Sequence, residues 1–123
     1  MLEDSGLFTD VGQASKGSVF VTPLLDQMSS QAAEADQTRS IDADLIRELK
    51  KNNIMRISAS PEIGGLNASI VSIANELRAM APRCTSTAWC MWNHLCTFHH
   101  FAGLLGPGNK EFLTQIVSDK DWV

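Results

Sequence analysis

The densest chemistry in the sequence lies in one short stretch, where Cys90, His94, Cys96, His99 and His100 follow one another closely. Thiols and imidazoles together invite two readings, a metal centre and a thiolate nucleophile. Cys90 and His94 are four residues apart, as are Cys96 and His100, so on a helix each pair shares a face. The two pairs point about 120° apart around the axis. One helix therefore cannot bring all four onto a tetrahedral ion, and only Cys84 adds another thiol or imidazole elsewhere in the chain. Core thiols with partly buried imidazoles are the reading this geometry favours, and no metal ligand is assigned. A Cys–His nucleophile would need a thiolate-stabilising environment and an orienting third group. The sequence specifies neither.

Two further features touch on binding chemistry. Glu62, Gly64 and Gly65 could open a phosphate loop, but the Gly-Lys-Ser/Thr ending and a preceding buried strand are missing. A tight turn between helices is the better reading. Trp89 and Trp92 offer a stacking platform, although their place in an apolar helix also suits core packing.

These residues need elements to hold them. The 123 residues are 44% hydrophobic and 20% charged, which suits one globular domain and not a disordered chain. A formal charge of −4 argues against a phosphate-tracking nucleic-acid surface. The opening MLEDSGLFTD is acidic and lacks a signal-like apolar run. A cytoplasmic protein with reduced thiols is expected. Thr85 to Leu105 is apolar enough to be checked as a membrane span, but Asn93, His94, His99 and His100 make insertion costly.

Residues 1–21 lack helical periodicity and read as a mobile leader, with Leu7, Phe8 and Phe20 able to pack loosely on the domain. Helices are expected near 23–38, 42–52, 68–81, 85–105 and 110–118. Thr22-Pro23 opens the first, with threonine as cap. Asp42 caps the second, with Ile41 and Ile46 as a hydrophobic staple. Ile54 to Ser60 alternates weakly. Ile70, Ile73, Ala74 and Leu77 mark the buried stripe of the third helix. In the fourth, Cys84, Ala88, Met91, Leu95, Phe98 and Ala102 share one face, while Trp89, Trp92, Cys96 and His100 lie nearly opposite. Apolar groups on both sides predict a central helix buried from several directions. No strand pattern is strong enough to build a sheet.

The order of the pieces carries further information. Ala35-Asp36-Gln37-Thr38-Arg39 precedes a capped helix ending in Asn53-Ile54. Pro61-Glu62-Ile63-Gly64-Gly65 follows, then a helix with Glu76-Leu77, Ser86-Thr87-Ala88-Trp89, Asn93-His94 and Leu105-Gly106. Over residues 20–123 this succession resembles the N-terminal helical domain of the acyl-CoA dehydrogenases and of the flavin-dependent monooxygenases that share their fold. Ser-Thr-Ala-Trp leans towards the monooxygenase branch. The resemblance implies an all-α fold, a five-helix orthogonal bundle over residues 22–123. It implies that a β-barrel and a C-terminal helical bundle follow in full-length members and supply most contacts to FAD or FMN.

This chain ends at Val123, before such a barrel would begin. It is expected to bind no flavin alone and to hold no catalytic residue. It is then a fragment or truncated product, or has acquired another use. The implied partners are the missing barrel and bundle, or a second copy of the chain, with acyl-CoA or an aromatic compound as the full-length substrate. Trp89, Trp92, Asn93 and Cys96 are the expected substrate-pocket wall, with ordinary core packing as the competing reading. A non-enzymatic helical interaction module is the alternative function.

Overall fold

The computed structural model describes residues 18–122, and the periodic stretches of the sequence form five α-helices within them. A 3-10 turn, Thr22–Leu24, leads into α1, Leu25–Thr38. Then come α2 (Ala43–Lys51), α3 (Ile70–Met80), α4 (Thr85–Leu105) and α5 (Lys110–Asp119). No strand occurs among the described residues. Of the leader read over residues 1–21, residues 1–17 fall outside them, and Val21 at its end is fully buried.

Local chemistry explains most boundaries. Asp42 accepts from the Asp44 and Leu45 N–H groups at 3.1 and 3.2 Å and so caps α2. Ser69 Oγ does the same for Ser72 at the start of α3. α4 ends where Gly106 adopts φ 72° and Pro107 follows. α1 ends at Arg39, a non-glycine residue in the left-handed region at φ 58°, ψ 33°.

The start of α1 departs from the expected threonine cap. Thr22 Oγ1 donates to the Ser18 carbonyl, and no side chain caps the turn at Val21. The donors just ahead of the turn go instead to a carboxylate distant in sequence. Glu76 on α3 accepts from the N–H groups of Val19, Phe20 and Val21 at 2.7, 2.8 and 2.9 Å. Glu76 is only 2% exposed, and its burial is sustained by these charge-assisted bonds.

The main core gathers Val21, Met28, Leu45, Leu49, Ile54, Met80 and Met91, all fully buried. α4 packs against α1 and α3. A smaller cluster of Ala59, Ile63, Phe98 and Leu113 joins the far part of α4 to α5. The weak alternation after Asn53 becomes a 3-10 turn, Asn53–Arg56, whose Ile54 and Met55 enter the core. Burial departs from expectation at Ile70 and along α4. Ile70 opens α3 but is 68% exposed, because Ser69 starts the helix two residues later than expected and leaves this side chain at its rim. α4 is buried on one face only. Ala88, Met91, Leu95 and Phe98 point inward, while Trp89 is 64% and Trp92 41% exposed. Helices α1 and α3 cover the first face, and no described element seals the second.

Candidate functional site

The open face of α4 meets a fold-back that precedes α3. Pro61-Glu62-Ile63 makes a 3-10 turn that ends at Gly64, with φ 93°. Gly65 is required for a different reason: a Cβ there would collide with the backbone of Ala59. The turn reverses the chain, so that Leu66 N–H donates to Arg56 O at 3.1 Å, Asn67 to Ala59 O at 2.9 Å and Ala68 to Ile57 O at 2.8 Å. Arg56 Nη1 donates to the Gly64 carbonyl at 2.9 Å and braces the loop. The glycine pair therefore serves the fold-back and does not cradle a phosphate. Its product is a wall, Asn67 to Ile70, standing across from α4.

Between that wall and α4 lies a cavity of about 330 Å³, lined by Ser58, Asn67, Ala68, Ile70, Ile73, Trp92, Leu95, Cys96, His99 and His100. This volume is within the range of small-ligand sites. Trp92 gives it an aromatic face. His99, His100, Asn67 and Ser58 give it polar groups able to fix an orientation. Of the four expected wall residues, Trp92 and Cys96 line this cavity. Trp89 lines a separate one of about 560 Å³ near the start of α4. Asn93 is exposed and donates to the Trp89 carbonyl one turn back, at 3.1 Å. The structure thus joins two of the four and sends Trp89 to a neighbouring sector of the same helix.

The thiols and imidazoles have separate tasks. His94 is 2% exposed and its Nε2–H donates to the Met55 carbonyl at 2.9 Å. Burial lowers its pKa below 6.5, with the Met55 carbonyl acting in the opposite direction. Burial pushes the Cys96 thiol up, which keeps it protonated and a poor nucleophile. Cys84 differs. Burial raises its pKa, but donors from Thr87, Gln31 and Ser86 outweigh burial and leave it lowered. Thr87 Oγ1 and Gln31 Nε2 lie 3.1 and 3.2 Å from its sulfur. Cys84 is also 4% exposed, so reagents cannot reach it without an opening of the helix start. Among the described residues no three His, Cys, Asp or Glu side chains come together as a metal site. The lining of the Trp92 cavity does not fit the pyrophosphate of FAD. The 330 Å³ cavity has no Lys or Arg for a pyrophosphate, and the glycine pair is committed to the fold-back.

Two features of the structure, the buried Glu76 and the meeting of Trp89 with Trp122, are not among the expectations from sequence. Glu76 falls among the apolar positions Ile73, Leu77 and Met80, and a carboxylate inside such a stripe is the signal that it must find buried donors. The groove beside Trp89 also includes Trp122, and nothing local in the sequence links these two.

Among the described residues, then, the chain is a strandless helical bundle with a half-open cavity on one face of its longest helix. Residues 23–112 match the acyl-CoA dehydrogenase N-terminal domain family, and the chain belongs to that family. It is also similar to the oxygenase component of p-hydroxyphenylacetate 3-hydroxylase from Acinetobacter baumannii, at 31% identity over 80 residues. That similarity covers 65% of this chain and 19% of the relative. No solved structure matches.

Proposed function

We propose that the chain is the substrate-side helical domain of a flavin-dependent hydroxylase, acting in the cytoplasm on a small aromatic substrate. The observation that carries this reading is the 330 Å³ cavity, with the indole of Trp92 on the open face of α4. An aromatic ring stacks well on such a face, and the imidazoles of His99 and His100 suit hydroxyl or carboxylate oxygens. The similarity to a p-hydroxyphenylacetate hydroxylase favours an aromatic substrate over acyl-CoA. The β-barrel and C-terminal bundle of a full-length enzyme would close the open side and hold FAD or FMN. Reduced flavin would supply two electrons to O₂, placing one oxygen atom in the substrate and releasing the other as water. This chain's residues contribute binding, orientation and exclusion of water.

Exposed Ile70, Leu104 and Phe112, at 68, 82 and 51%, are the apolar contacts that such domains would cover. No helix among the described residues is long and apolar enough to cross a membrane. The test mixes the chain with the Acinetobacter baumannii hydroxylase from which its own N-terminal domain has been deleted. Reduced flavin, O₂ and p-hydroxyphenylacetate are then supplied. A stoichiometric complex on gel filtration with hydroxylated product above that of either part supports the proposal, as does loss of that product on Trp92→Ala. A chain that self-associates and ignores the deleted enzyme overturns it in favour of an interaction module.

A further inference from the structure

The cavity of about 560 Å³ lies where the end of α1, the start of α2 and the first turns of α4 meet, about a third of a turn around α4 from the Trp92 cavity. We infer that it binds a small aromatic monocarboxylate, independently of the hydroxylase reading. Its volume suits a small organic molecule. Trp89 and Trp122 both line it, and Trp89 is 64% exposed, a large aromatic surface left uncovered. Trp122 reaches the cavity because Lys120, at φ 57°, turns the chain back after α5. Its ring is then placed 5.7 Å from that of His94. Two indoles around one space favour a flat ring.

Charge defines the other end of the ligand. Arg39 and Lys50 line the cavity against one carboxylate, Asp36, which leaves one net positive charge on a chain of formal charge −4. The ion pairs among the described residues join Arg47 to Asp44, Lys51 to Glu48 and Arg83 to Asp26. They therefore involve neither cavity cation. Arg39 also occupies a left-handed position, φ 58°, at which glycine is the favoured helix terminator. An arginine there accepts backbone strain while bringing a guanidinium to the cavity. Guanidinium groups match the two oxygens of a carboxylate, and one net charge matches a monoanion.

The probe is 1-naphthylacetate, with neutral 1-naphthylacetamide as its control, titrated into the full chain and followed by the three indole N–H resonances in NMR. Saturable binding that moves the Trp89 and Trp122 signals and leaves Trp92 in place is expected, with the amide bound at least about fivefold more weakly. Lys50→Gln should reduce naphthylacetate affinity by a similar factor. Arg39→Gly separates binding from folding, since glycine relieves the left-handed strain: its melting temperature should rise while its affinity falls. Equal affinity for the amide, perturbation centred on Trp92, lack of saturable binding, or a stabilised Arg39→Gly that binds as well as the parent would each overturn the inference.

Discussion

Replacing Glu76 with alanine removes the acceptor for three consecutive backbone donors, at 2.7, 2.8 and 2.9 Å. Val21 is fully buried, so its N–H would lose its partner without gaining water. Leaving such a donor unpaired costs about 1–3 kcal/mol. Val19 is 73% exposed and Phe20 half-buried. Their N–H groups can turn to solvent, at about 0.5–1.5 kcal/mol each. The sum is about 2–6 kcal/mol, a large part of the 5–15 kcal/mol that typically holds a domain. Glu76→Gln keeps one carbonyl oxygen for Phe20 and Val21 and places an NH₂ against the accessible Val19 donor. Its cost should be smaller, about 1–2 kcal/mol. Urea unfolding followed by far-UV circular dichroism measures both, and amide exchange at residues 19–21 should quicken in the alanine variant. An alanine variant within about 0.5 kcal/mol of the parent would refute the anchoring role, and so would a glutamine variant as unstable as the alanine one.

Leu95→Ala should cost about 2–5 kcal/mol, because Leu95 is 2% exposed and its truncation leaves a cavity. Trp89→Ala should change stability by less than about 0.5 kcal/mol, since most of that side chain is already in water. Equal losses in urea melts would show that the two faces of α4 had been exchanged. His94, whose folded pKa lies below its ordinary 6.5, contributes stability that is complete above 6.5 and lost as pH falls towards and through the folded value. Urea midpoints at neutral and mildly acidic pH should therefore diverge less in His94→Gln than in the parent. Ellman's reagent should titrate Cys90 in the native protein, Cys96 more slowly because burial raises its thiol pKa, and Cys84 only after unfolding, because Cys84 alone of the three is buried. Three thiols reacting together at native pH would contradict the closed start of α4.

The five helices were legible in the sequence because their signals are local. A cap such as Asp42 acts on N–H groups two and three residues away, and Gly106-Pro107 stops α4 through its own backbone. An apolar residue recurring at helical spacing likewise marks a face without reference to the rest of the chain. The fold-back at Pro61 to Gly65 was readable as a turn, though its close approach to Ala59 was not. The candidate site was legible only as a set of residues on one helix: Trp92 and Cys96 share a cavity, whereas Trp89 belongs to another.

Tertiary structure decided the rest. Both faces of α4 are apolar, so spacing alone could not select the one that α1 and α3 would cover. Glu76 owes its burial to donors more than fifty residues away, and Arg39, Lys50, Trp89 and Trp122 meet only when three helices and the chain end converge. Helix formation is set by hydrogen bonds and caps within a few residues, which the sequence determines by itself. Burial, and with it the location of an open cavity, depends on which surfaces pack together, and that is a property of the assembled fold.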